Sequence, residues 1–468
     1  MPVRSPSVVR SMLRSVVSVR AACFALALSV PELVHAQRAP APDVDPRIQK
    51  LVAAVSEQRL RELDTKLVSF GTRQTLSDAT STARGIGAAR QWIHDELKRS
   101  SARLQVSFDT HQIAQQGRIF RDVELRNVMA ILPGRSARRI YITGHYDSVN
   151  LGRGGQTALN AGTGTAIQSP ADAANNEAPG ANDDGSGTVL TMELARVFAE
   201  SGIEFDATLV FMCWAGEEQG LIGSMAHAQK MAAEKVVVDA NFNNDIIGNS
   251  VGGNGQIDGK SVRIYSLGPE DNMSRSLARY IERVAAVYVP SHRIRLMARE
   301  DRFGRGSDHS SFTANGFPAV VFREANENFA RQHSAEDKLE GVDFRYLAQN
   351  ARVNAASAAA LALAPSAPKV TNERGAVLLT RNPSGYDANL SWAAVPGAVS
   401  YRVYWRDTWN NSWERSQVVG NITQSVLPGL SIDDWVFGVS AIGADGNESL
   451  VSAYVSQVRT MNPVRIAR

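Results

Sequence analysis

Five short segments, widely separated along the chain, carry side chains that bind divalent metal ions: GHYDS (144–148), NDDGSG (182–187), GEEQG (216–220), NNDIIG (243–248) and QHSAED (332–337). They supply His145, Asp183, Glu218, Asp245 and His333, a set of imidazoles and carboxylates that suits a borderline-soft divalent ion such as zinc. Glu217 is left free to move protons. Together the residues have the make-up of a hydrolytic site for two zinc ions. No HExxH stretch occurs, which excludes the helix-borne zinc arrangement built on that motif.

Residues of this kind act together only if the fold brings them to one place. RIYIT (139–143) is a short β-branched and aromatic run, so His145 and Asp147 fall where a buried strand gives way to loop. ATLVFMCW (207–214) delivers Glu217 and Glu218 in the same way, with helical spacing following from Leu221 to Lys230. Residues 236–242 deliver Asp245, and PAVVF (318–322) precedes His333. Helical spacing is expected at 188–199, 272–287 and 344–363. Alternating strands and helices predict an α/β fold with a mostly parallel central sheet flanked by helices, whose ligands gather outside the strand carboxyl ends. All the metal candidates map to that edge. Each also has a plainer use: NDDGSG is turn-forming in composition, and two glutamates suit the start of a helix.

In order and in residue type, the segments resemble those of the M28 family of co-catalytic zinc peptidases, over roughly residues 85–362. That resemblance implies a zinc exopeptidase fold and two zinc ions, His145 and Asp245 holding one, Glu218 and His333 the other, and Asp183 bridging them, with a cis peptide between Asp183 and Asp184. In such sites two metals share and acidify a water, and Glu217 is the natural general base. Asp147 and Asp337 follow His145 and His333 closely enough to accept the imidazole N–H that the zinc does not use. The resemblance further implies a peptide or protein substrate cut at its N-terminus. A carboxypeptidase or dipeptidase on the same scaffold, a glutaminyl-cyclase-like transferase and a non-catalytic binding protein are the other readings.

Two departures from the family bear on substrate. Residues 150–180 form a long insertion rich in Gly, Ala, Asn and Thr, readable as a lid or as a surface excursion. Gln332 stands where some aminopeptidases have a tyrosine, so Arg305 is the remaining candidate to steer a substrate terminus or carboxylate. Asp308 and His309 read as structural or substrate-side residues, while His94, His111, His227 and His292 have no motif around them.

The remainder of the chain frames this region. Residues 1–36 hold four arginines, an apolar stretch and a small-residue cleavage pattern at VHA, the signature of a signal peptide, so export to the periplasm or the medium is expected. Loss of these four arginines and of Glu32 takes the 50 basic and 47 acidic residues to 46 of each. Such neutrality argues against nucleic acid as a partner, and the mature chain has no expected membrane span. Cys213 is then the sole remaining cysteine and reads as a core side chain. Residues 37–46 read as a disordered tether, 47–104 as helical and 47–364 as the catalytic domain. Pro365 and Pro368 end its last helix. Residues 369–462 change to short alternating runs between Pro, Gly and Asn turns, a small β-sandwich resembling a fibronectin type III domain, with Trp392 and Tyr401 in its core.

Overall fold

The computed structural model describes residues 44–152, 174–268 and 270–455. The leader, residues 37–43 of the tether, residues 153–173 of the insertion and residues 456–462 of the β-rich region lie outside the described residues.

Eight strands form the main sheet: β1 (Gln105–Ile113), β2 (Val123–Leu132), β3 (Arg139–His145), β4 (Thr208–Trp214), β5 (Val238–Asn244), β6 (Ser261–Ser266), β7 (Arg293–Met297) and β8 (Ala319–Glu324). Their spatial order is β1-β2-β4-β3-β5-β8-β6-β7. The central strands β4, β3, β5 and β8 run parallel, so all four carboxyl ends open on one edge. β1 and β2 add antiparallel on one side. On the other side β6 is antiparallel to β8 and β7 parallel to β6.

Period-two alternation divides the central strands between two cores. Ile140, Ile142, Leu209, Phe211 and Cys213 face the larger core, whereas Tyr141, Val210, Met212 and Trp214 face the smaller one. Six helices help to build the larger core: α1 (Pro46–Ala54), α2 (Glu57–Val68), α3 (Gly85–Ser100), α4 (Ser186–Glu200), α6 (Met273–Tyr288) and α8 (Phe344–Leu363). The short α7 (His309–Ala314) and, before it, α5 (Ile222–Ala233) cover the smaller core. Several helices start at side-chain caps: Asp45 accepts the Arg47 N–H before Pro46-led α1, and Asp343 accepts the Tyr346 N–H at the head of α8.

Two elements were not anticipated. β6 and β7 (SVRIYS and RIRLM) are interrupted by arginines, and with β7 at the sheet edge neither is the unbroken apolar run that marks a buried strand. The region 47–104 is helical only in part, since residues 69–84 form a loop between α2 and α3. That loop turns out to reach the metal-binding edge.

Beyond α8 lie two antiparallel sheets. β9 (Leu379–Arg381), β10 (Ala388–Ser391) and β13 (Gln424–Leu427) make one; β11 (Ala398–Asp407), β12 (Arg415–Val418), β14 (Trp435–Gly443) and β15 (Ser452–Ala453) make the other. They share one core containing Leu390, Trp392, Tyr401, Val403, Phe437 and Val439. The Trp392 and Tyr401 rings lie 5.4 Å apart, and the Tyr401 hydroxyl accepts the Val395 N–H at 2.8 Å.

Candidate metal centre

The carboxyl ends of β3, β4, β5 and β8 present His145, Glu217 with Glu218, Asp245 and, after a longer loop, His333. Asp183 comes from the turn leading into α4. Its approach is fixed by backbone contact: a Cβ on Gly144 would lie 2.5 Å from the Gly187 carbonyl carbon, and one on Gly187 would lie 2.2 Å from the Asn244 oxygen. The start of α4 is thereby wedged between β3 and β5. Asp184 locks this wedge, its carboxylate accepting the N–H groups of His145 (3.0 Å), Gly187 (2.8 Å) and Ile246 (3.3 Å). The Asp183–Asp184 peptide is cis. Ile246 and His333, next to or at ligand positions, have left-handed φ of 56° and 53°, the kind of strain that clusters at functional sites.

Two sets of ligand atoms result, and they share Asp183. His145 Nε2 lies 3.4 Å from Asp183 Oδ1 and 3.8 Å from Asp245 Oδ1. His333 Nε2 lies 3.0 Å from Asp183 Oδ2 and 3.2 Å from Glu218 Oε2. Asp183 thus offers one oxygen to each set. A single imidazole N–H between two carboxylate oxygens satisfies at most one of them, and Glu218 Oε1 has no hydrogen-bond partner. Buried acceptors left in this condition are costly, and donor sets of this chemistry fit a divalent cation.

The electrostatics agree. Burial alone would lower the pKa of His145, but the carboxylates of Glu217, Asp147, Asp183 and Asp245 outweigh it and raise it well above the ordinary range. Burial pushes Glu217 up to about 8, with Asp245, Asp308 and Asp147 adding to the rise against the opposing His145. Glu218 rises for the same first reason, reinforced by Asp183 and Glu217. The pocket therefore holds more negative charge than its own cations balance.

Asp147 ties several parts together. Its carboxylate accepts the backbone N–H groups of Glu217 (3.2 Å) and Glu218 (3.1 Å) and the Thr75 hydroxyl (3.1 Å). His145 Nδ1 lies 3.1 Å from the Asp147 carbonyl and 3.5 Å from its carboxylate. Asp337 differs from expectation. Rather than pairing with His333, it accepts the backbone N–H groups of Asn182 (3.0 Å) and Asp183 (2.8 Å). The carboxylate instead steadies the segment that carries Asp183.

Arg305 is largely committed within the protein, donating to Gln332 Oε1 at 2.9 Å and lying 3.5 Å from Glu327. Gln332 in turn donates to Glu327 at 3.0 Å. Asp308 is fully buried, and His309 Nε2 lies 2.8 Å from the Glu300 carbonyl. His227 lies between Asp109 and Tyr141, and His292 against Asn350. The ends of the insertion converge beside the site: the Leu151 N–H donates to the His333 carbonyl at 2.9 Å, and Asn150 Nδ2 to the Glu177 carbonyl at 2.6 Å.

Sequence reasoning missed two buried arginines. Arg73, in the loop after α2, donates to the carbonyls of Tyr146 (2.6 Å), Pro179 (2.5 Å) and Gly180 (2.8 Å), closing the base of the insertion. Arg323, on β8, pairs with Asp245 and with Asp301. Arg73 has no motif around it. Arg323 had one available signal, an arginine directly continuing the apolar PAVVF strand.

This geometry, two histidines and several carboxylates around a shared aspartate at the carboxyl edge of a mostly parallel sheet, defines a metallohydrolase-type centre. Comparison with known proteins gives the family. The model of peptidase family M28 matches residues 127–358. A probable zinc metalloprotease of Pyricularia oryzae is 37% identical, the match covering 90% of this chain and 86% of the relative. The chain belongs to peptidase family M28 and is a zinc metallopeptidase by that membership. Among solved structures, the Legionella pneumophila LapA aminopeptidase is similar in fold (TM-score 0.52, 18% identity, 69% of this chain and 76% of that one). So is the Porphyromonas gingivalis glutaminyl cyclase (TM-score 0.50, 16% identity, 65% and 98%).

Proposed function

We propose that this chain is an exported two-zinc exopeptidase that releases residues from the N-terminus of peptides. The observation that carries the reading is the placement of Asp183, with one carboxylate oxygen in each of two ligand sets. His145 and Asp245 would hold one ion, Glu218 and His333 the other. When bound, the pair of ions would supply Lewis-acid polarisation of the scissile carbonyl and acidify the attacking water.

The protein's own part is proton transfer and positioning. Glu217 accepts the proton of the attacking water and returns it to the departing amine. Cationic charge beside a buried carboxyl favours its ionised form, so bound ions would keep Glu217 a carboxylate near neutral pH. Asp147 holds the Glu217 and Glu218 backbone in one orientation, which keeps the base and a metal ligand in fixed relation. Arg305, which donates to Gln332 beside His333, is the candidate to steer a substrate's polar terminus.

Cleavage at the N-terminus is supported by the similarity of fold to a protein described as an aminopeptidase; export is supported by the basic and apolar leader. The deciding experiment is an assay of purified protein on amino-acid anilides, N-acetylated peptides and C-terminally amidated peptides, with and without chelator. Hydrolysis of free-amine substrates alone, lost with chelator and regained with zinc, supports the proposal. Activity that requires a free carboxylate instead would make it a carboxypeptidase, and cyclisation of N-terminal glutamine would make it a transferase.

A further inference from the structure

The two ligand sets are matched in number, each with one imidazole and one carboxylate besides Asp183, but among the described residues only the Asp245 set has a guanidinium in ion-pair contact with its own carboxylate. Arg323 is fully buried, and its guanidinium contacts Asp245 Oδ1, the same oxygen that faces His145 Nε2. It cannot swing away. Nη1 also donates to the Asp245 carbonyl at 3.0 Å, while Nη2 donates to Asp301 Oδ2 at 3.0 Å and to the Gly306 carbonyl at 3.2 Å. The remaining oxygen, Asp245 Oδ2, accepts the Ser307 hydroxyl at 2.5 Å. Asp245 is therefore oriented and charge-balanced by the protein itself.

The other set is different. Among the described residues Glu218 makes no ion pair with an arginine; its ion-pair partner is His333, at 3.2 Å. Arg305 is engaged with Gln332 and Glu327. An ion entering between Glu218 and His333 meets uncompensated carboxylates, whereas one entering between His145 and Asp245 meets a carboxylate already neutralised by a cation. Like charges a few ångströms apart in a buried site are screened far less than in water.

We propose that Arg323 sets the order in which the two metal positions fill, the Glu218–His333 position first and the His145–Asp245 position second and at least tenfold more weakly. The weaker position is then the one at which metal is exchanged, and a partly loaded chain with a single ion is a defined species. This rests on the two-zinc reading of the site.

The test is zinc titration of chelator-stripped protein by calorimetry, combined with anomalous scattering from crystals holding one equivalent. Two resolved steps are expected, with the first ion between Glu218 and His333. In Arg323→Gln and Arg323→Met the second step should tighten tenfold or more and the first should stay unchanged. A first ion beside Asp245, equal steps in the wild type, or a weaker second step in both variants overturns the proposal, the last because it makes Arg323 a support for Asp245 rather than a competitor. Should the variants fail to fold, the position of the first ion in the wild type decides alone. Saturation at one ion per chain would instead remove the two-zinc reading itself.

Discussion

Glu217 and Asp147 do different work within a few ångströms. In the proposed mechanism Glu217 moves the proton, so Glu217→Gln should lower turnover by a factor of about 10² to 10⁴ while zinc content by elemental analysis stays near wild type. Asp147→Asn keeps the shape but lowers the capacity to accept three donors at once. It should reduce both turnover and zinc affinity, measurable in the same preparation. A second charged residue sets acid stability. Glu327 is buried, which opposes ionisation, yet Arg302, Arg323, Arg263 and Arg305 surround it and hold its pKa down to about 2. A carboxyl depressed in the folded state stabilises the fold above its unfolded pKa, and that contribution disappears as pH falls through the folded value. Glu327→Gln should therefore cost roughly 3 kcal/mol near neutral pH. The gap between variant and wild type in denaturant midpoint should close as pH falls from about 4.5 to about 2.

At the scale of elements, the site depends on how closely α4 is seated. Gly144 and Gly187 allow backbone to touch backbone where β3, β5 and the start of α4 meet, and Asp184 bonds all three. Gly144→Ala would push a methyl into the Gly187 carbonyl carbon, with no flexible side chain to yield. Overpacking of this kind costs about 1–3 kcal/mol or more. Because the displaced segment carries Asp183, loss of bound zinc should exceed what the drop in thermal midpoint alone would suggest. A surface change such as Arg99→Ala on α3 supplies the control. The loop of residues 69–84 works at this scale too: Arg73 and Thr75 bring it from between two helices to the ligand-bearing turns.

Across the whole molecule, ion pairs join the C-terminal sheets to the peptidase region beside an apolar contact, in which Leu450 enters the larger core. Glu448 lies 3.1 Å from Arg283 of α6 and 3.4 Å from Arg402 of β11, and accepts the hydroxyls of Tyr404 and Ser440. Asp271 repeats the arrangement between Arg279 and Arg406, and the Ser276 hydroxyl donates to the Val451 carbonyl. Removing one member of such a group leaves buried charge unpaired, so Glu448→Gln should destabilise by about 3 kcal/mol, read as a lower denaturation midpoint with zinc affinity retained. No helix among the described residues is long and apolar enough to cross a membrane.

How far the chain could be read without its structure varies with the range of the interactions involved. The parallel strands, α8 from Phe344 to Leu363, the gathering of His145, Asp183, Glu218, Asp245 and His333 and the change of texture after Pro365 were legible, because apolar periodicity and turn residues are local properties of sequence. Strand β6 and the edge strand β7 were not, since arginines break their pattern. Asp337 was misassigned because spacing from His333 says nothing about which donors its carboxylate meets, and these are the distant Asn182 and Asp183 N–H groups. Arg73 and Arg323 stayed hidden because a buried arginine is recognisable only by the carbonyls and carboxylates around it, and these come from segments far away in the chain. Sequence alone determined which groups could bind metal and which edge of the sheet would carry them; tertiary packing alone decided that Asp183 divides its oxygens between two sets and that Asp245 pairs with the guanidinium of Arg323. Ligand identity is written residue by residue, whereas charge balance in a buried site is a sum over everything folded around it.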